Sequence, residues 1–120
     1  MMEDPRIKIA RWTFGGREWE LCCNMNVLAD VQALYGGDLG EALAGTHTMR
    51  TLLDFLAAMM NDFADSSGWQ IRYTGRQLGR LIAWQEYEEI QGMIMDLVTG
   101  ALTPKEEETP EDPEEEPEKN

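Results

Sequence analysis

The stretch "ARWTFGGREWEL", residues 10–21, leaves this chain few options. Two glycines separate two runs that alternate apolar and polar residues. A Gly-Gly pair tolerates positive φ at both central positions of a two-residue hairpin loop. With Gly15-Gly16 as the loop, the register follows. Phe14 faces Arg17, Thr13 faces Glu18, Trp12 faces Trp19, Arg11 faces Glu20, Ala10 faces Leu21 and Ile9 faces Cys22. One face then carries Ala10, Trp12, Phe14, Trp19 and Leu21. The other carries Arg11, Thr13, Glu18 and Glu20, with a cross-strand Arg11–Glu20 pair on the wet side. An isolated hairpin is marginal in water, so other elements must cover the tryptophan face.

The rest of the pattern supplies helices. Asn24 or Asn26 can cap one that runs to about Tyr35, with Val27, Leu28, Val31 and Leu34 inward and Gly36-Gly37 as its stop. Asp38 can cap a short helix through Ala44. Thr46 or Thr48 opens a longer one with a stripe of Leu52, Leu53, Leu56, Met59, Met60 and Phe63, closed at Asp65-Ser66-Ser67-Gly68. "WQIRY", residues 69–73, alternates and reads as a short extended segment or a third strand. Thr74 and Gln77 have capping-box spacing, and Leu78, Leu81 and Ile82 follow. A final helix presents Tyr87, Ile90, Ile94, Leu97, Val98 and Ala101, and ends at Pro104. The predicted class is α+β, mostly α. An N-terminal hairpin, about residues 6–23, packs on four to five helices over about 25–102, with any sheet antiparallel.

Length and charge bound the rest. The 120 residues make one domain, expected over 1–103. Residues 104–120 hold nine acids against Lys105 and Lys119, carry four prolines and lack any apolar residue. That acidic tail is predicted to be disordered. The formal net charge is -13, of which the preceding body carries -6. Nucleic-acid affinity comes from lysine and arginine releasing counterions, so this sign argues against nucleic acid and against anionic membrane surfaces. "MMEDPRIK" has acids where a signal peptide wants basic residues, and the most apolar run, "LLDFLAAMM", is too short to span a bilayer. The expectation is a soluble protein in a reducing cytosol, in which adjacent Cys22 and Cys23 stay unbonded.

No catalytic or metal constellation stands out. His47 could join Cys22 and Cys23 around zinc, but structural zinc wants four ligands at recognisable spacing, and a loop histidine beside two small core cysteines is the simpler account. Glu86, Glu88 and Glu89 could form a carboxylate pair. They lack a Glu-x-x-His motif and suit the N-terminal end of a helix. Asp62, Asp65, Ser66 and Gly68 miss the alternating ligands of a calcium loop. Neither Gly15-Gly16 nor Gly36-Gly37 belongs to a phosphate loop. The chain is expected not to be an enzyme and to need no cofactor.

The eight methionines are the remaining unusual feature. Methionine fills irregular cores and also suits surfaces that accept varied partners. Met59, Met60, Phe63, Met93 and Met95 are candidate partner-binding residues. Met95 lies off the Ile90–Ile94–Leu97 stripe. Trp69 and Trp84 could anchor an interface or staple loops.

The order of segments resembles one family. "IKIARWTFGGREWELCCNMNVLADVQALYGGDLGEAL", then "LLDFLAAMMND", then "YTGRQLGRLIAWQEYEEIQGMIMDLVTGAL" look like the tail assembly chaperones of long-tailed bacteriophages. There a short hairpin precedes a helix ending in a Tyr/Phe-Gly-Gly break. A leucine-rich helix, a Thr-capped helix, a closing helix and a charged tail follow. The resemblance covers about residues 6–103 through apolar spacing and glycine breaks. "WQIRY" is more strand-like than that family leads one to expect.

The resemblance implies a protein that binds the tape measure protein and keeps it soluble while tail tube subunits assemble. It implies residence in the cytoplasm of a bacterial host and absence from the mature virion. It also implies the short form of a pair made by -1 ribosomal frameshifting, whose longer product recruits tail tube protein. Glu118-Lys119-Asn120 can be encoded by GAA-AAA-AAC or GAA-AAA-AAT, runs suited to such slippage. The tail would then be a linker to a second domain. The alternatives are a structural tail or head-tail junction protein, or a small acidic host adaptor.

Overall fold

A computed structural model of the chain describes residues 8–103. Strand β1 (Ala10–Phe14) and strand β2 (Arg17–Leu21) form a two-stranded antiparallel sheet in the register set by the loop, with Trp12 opposite Trp19. Gly15 and Gly16 have φ of 62° and 78°, a region that strains any residue with a Cβ. The Arg11–Glu20 pair forms on the exposed face at 3.5 Å. Helices α1 (Met25–Leu34), α2 (Leu39–Ala44), α3 (Met49–Ser67), α4 (Gly75–Leu81) and α5 (Trp84–Leu102) follow. The chain is α+β and mostly α.

Local signals place the helix ends. Asn24 caps α1, Asp38 caps α2 and Thr48 caps α3, each side chain accepting from the backbone N–H three residues on. Gly68 ends α3 in the left-handed conformation at φ 79°. Thr74 and Gln77 complete a capping box on α4, at 2.8 and 3.1 Å. Helix α5 has Ala83 at its N-cap and no side-chain cap.

Helix α3 is the centre. Ten of its residues are buried, including Phe55, Ala57, Ala58 and Ala64 outside the sequence-predicted stripe. A helix buried on most of its circumference is a core helix, and the hairpin, α1, α4 and α5 all contact it. Helix α1 is held along α3 at both ends. The Asn24 amide donates to Asp62 Oδ2 at 2.8 Å. The Tyr35 hydroxyl donates to Asp54 Oδ2 at 2.9 Å and lies 2.8 Å from Thr51 Oγ1. A phenol has one proton, and the carboxylate takes it, so the buried Thr51 hydroxyl donates to the phenol oxygen.

The structure decides between readings left open and changes others. Of the two readings of "WQIRY", the third strand does not form, and residues 69–73 lie outside any helix or strand. Asn61 replaces a strand partner, its amide donating to Tyr73 O and accepting from Tyr73 N, both at 2.8 Å. Leu34 and Leu81 are exposed rather than core, each in the last turn of its helix. The ladder begins at Ala10 opposite Leu21, so the expected Ile9–Cys22 pair does not form, and residues 6 and 7 of the expected hairpin lie outside the described part. The predicted tail, residues 104–120, also lies outside it, as do Glu118, Lys119 and Asn120.

Candidate partner-binding surface

The sequence-predicted contact residues do not form one surface. Met59 and Met60 are 1% and 0% exposed, so they are core side chains and cannot meet a partner in this fold. The helical stripe that selected them faces the hairpin and the other helices. Phe63 and Trp69 are half-buried in an aromatic cluster with Trp19. Trp69 meets Trp19 edge-on at 5.2 Å, Phe63 meets Trp69 at 5.4 Å, and Tyr73 lies 6.1 Å from Trp19. The Arg17 guanidinium covers the Trp69 ring at 4.7 Å. The Trp19 indole donates to Phe14 O at 3.0 Å. This cluster secures the hairpin on the C-terminal half of α3. Met93 and Met95 are half-buried on α5 and pack against the core, so an aspartate at Met95 would disturb packing as well as any surface.

Trp84 behaves differently. It is 61% exposed at the start of α5 and leans on Tyr87 with ring centroids 6.0 Å apart. Leu81 at the end of α4 is 57% exposed, and Met49 at the start of α3 is 49% exposed. A crevice of about 190 Å³ opens at Met49 and Trp84, lined by Met49, Leu53, Gly79, Ile82, Trp84 and Tyr87, and Leu81 is not part of that lining. Glycine at position 79 leaves the crevice its depth. Tryptophan and methionine over a preformed apolar recess are residue types enriched in the cores of protein interfaces.

A second recess lies between α1, α3 and the segment leading into α4. It measures about 410 Å³, with Ala57 and Ala58 on its floor and Arg50, Arg72 and Arg76 on its rim. Arg72 continues into a neighbouring hollow with Gln77, Arg80 and Leu81. Arginines at 72, 76 and 80 recur every fourth residue, a spacing legible in the sequence that belongs to no catalytic motif.

The titratable groups favour no nucleophile. Burial, then the neighbouring Cys22, pushes the Cys23 thiol up from 9.0 to about 11. Burial, then the charge of Asp62, also raises Cys22. Both thiols therefore stay protonated near neutral pH, which does not suit nucleophilic attack. His47 is exposed in the turn before α3, with Nδ1 3.2 Å from Ala44 O. Among the described residues, no group of three or more His, Cys, Asp or Glu side chains could hold a metal ion. No described helix is long and apolar enough to cross a membrane. Comparison of the chain with protein-family models, curated proteins and solved structures finds no match.

Proposed function

We propose that the protein is a tail assembly chaperone of a long-tailed bacteriophage, one that binds the tape measure protein and keeps it soluble while the tail tube assembles. The observation that carries this reading is the exposed apolar crevice at Met49 and Trp84. A folded domain that leaves a tryptophan 61% exposed beside a recess is equipped to take an apolar helical stripe. The order of elements supports it too. A hairpin, a helix stopped at Tyr35-Gly36-Gly37, a long leucine-rich helix, a Thr74-capped helix and a closing helix follow one another as in the resemblance drawn from the sequence. A tape measure protein is long and helical, with apolar stripes that aggregate when bare. Binding one needs no cofactor, metal, nucleic acid or membrane, and no catalysis. The formal net charge of -13 keeps coated complexes apart.

In this reading the protein acts in the cytoplasm of the bacterial host and is absent from the virion. It is the short form of a frameshifted pair, with tail tube protein reached through the longer product. Co-expression with a tape measure protein from the same genome tests the partner. The partner is expected in the soluble fraction with the chaperone and in the pellet without it, and a partner insoluble in both cases would sink the proposal. Mass spectrometry of purified virions is expected to find the chain absent, whereas stoichiometric presence would favour the structural tail protein.

A further inference from the structure

The arginine-rimmed recess calls for a ligand of opposite charge. Six arginines fall within the described residues. Arg11 is paired with Glu20, and Arg17 covers Trp69. The other four, Arg50, Arg72, Arg76 and Arg80, border the recess and the hollow that continues it. The recess also holds Asp30 and Asp54. Asp54 already accepts the Tyr35 hydroxyl, and Arg72 is engaged by Asp65 at 3.0 Å in a pair exposed to water. Among the described residues Arg50, Arg76 and Arg80 have no ion-pair partner. A concentration of guanidinium groups is unusual on a domain whose overall charge is negative. The alanine floor adds depth without bulk, so a narrow chain can lie between the arginines.

We propose that this recess binds the acidic segment 104–120 of the same chain. Charge complementarity favours it: nine carboxylates stand against two lysines, and no large apolar residue competes for the Trp84 crevice. Reach permits it. At about 3.3–3.6 Å per extended residue, the segment can span roughly 56–61 Å. The longest dimension of the molecule is 48 Å. Tethering supplies an effective concentration on the order of millimolar, enough for contacts too weak to hold a free peptide. Arginine forks take carboxylates in pairs, so glutamates spaced along an extended chain can engage several rim residues at once. The inference does not depend on the identity of the protein partner.

The test uses the full chain. Amide spectra of the unmodified protein are compared with those of a variant carrying Glu106→Gln, Glu107→Gln, Glu108→Gln, Glu114→Gln, Glu115→Gln and Glu116→Gln, which leaves the described domain untouched. At about 10 mM salt, where charges act over about 30 Å, the amides of Arg50, Asp54, Arg72 and Thr74 to Arg76 are expected to differ between the two. At about 1 M salt, where the range falls to about 3 Å, the spectra are expected to converge there. Arg50→Gln with Arg76→Gln, in the unmodified tail, is expected to remove most of the low-salt difference. Identical recess amides at low salt would overturn the proposal, as would differences spread evenly over the surface. Differences that grow with protein concentration would assign the recess to the tail of a second copy and overturn it as well.

Discussion

Two regions of this molecule use the same residue types to opposite ends. Under the hairpin, Trp19, Phe63, Trp69 and Tyr73 meet edge to face and close on one another. Every polar atom named in that region has a partner: the Trp19 indole has Phe14 O, and the Tyr73 backbone has Asn61. At the α4–α5 junction, Met49 and Trp84 stand open around a recess, and α5 begins without a side-chain cap. An aromatic residue contributes stability where its whole surface is covered, and it is available to a partner where only one edge is covered. The number of tryptophans therefore says little about binding, whereas the geometry around each one says a good deal.

The strongest way to break the comparison is at Trp19. Trp19→Ala removes a fully buried indole and its hydrogen bond, and is expected to cost about 3–5 kcal/mol. Urea unfolding monitored by the circular dichroism of the helices measures it. A loss under about 1 kcal/mol would mean that the cluster does not hold the hairpin. A similar test applies at Gly75, where a Cβ would lie 3.0 Å from Asp54 N and 3.1 Å from the Leu53 carbonyl carbon, and would also meet the Asp54 carboxylate. Gly75→Ala is expected to push α4 from α3 and cost about 1–3 kcal/mol, read as a lowered urea midpoint.

Alkaline pH separates the regions more gently. Burial raises Cys23 from 9.0 to about 11, and burial, then the bond to Asp54, raises Tyr35 above 10.0 against the opposing bond from Thr51. In both cases the folded state disfavours the ionised form. The contribution is therefore complete below the unfolded value and is lost as pH rises through the folded one. The melting temperature is expected to hold to about pH 9 and to fall between pH 9 and about 11, with Cys23→Ala removing the earlier part of the fall. A melting temperature that rises over this range would contradict the assignment. The smallest effect on stability is expected at the open site. Trp84→Asp is expected to change unfolding free energy by no more than about 0.5 kcal/mol, since the side chain is mostly in water already.

What the sequence made legible was local. The Gly15-Gly16 loop dictated every cross-strand pair, and Asn24, Asp38, Thr48 and Thr74 marked helix starts through their own side chains. What it hid depended on contacts far along the chain. Asn61 holds Tyr73 from twelve residues away, so an extended run passed for a possible strand. Helical periodicity gave Met59, Leu34 and Leu81 the same standing, yet only the first sits under a neighbouring element. Of the candidate contact residues, Trp84 remained at the surface because α4 ends at Leu81 and leaves the start of α5 uncovered. The arginine recess had a signal, the four-residue spacing of Arg72, Arg76 and Arg80. Its partner across the cleft, Arg50, is joined to them only by the packing of α4 on α3.

The central claim, made as a proposal, is that the Met49–Trp84 crevice receives the partner while the hairpin cluster only holds the fold. It is tested most directly by co-expressing the proposed partner, a tape measure protein, with a Met49→Asp, Trp84→Asp double variant whose unfolding curve matches that of the unmodified chain. The account predicts that the variant stays folded and soluble while the partner moves to the pellet and no longer co-purifies. A partner that remains soluble and bound to the double variant would contradict it.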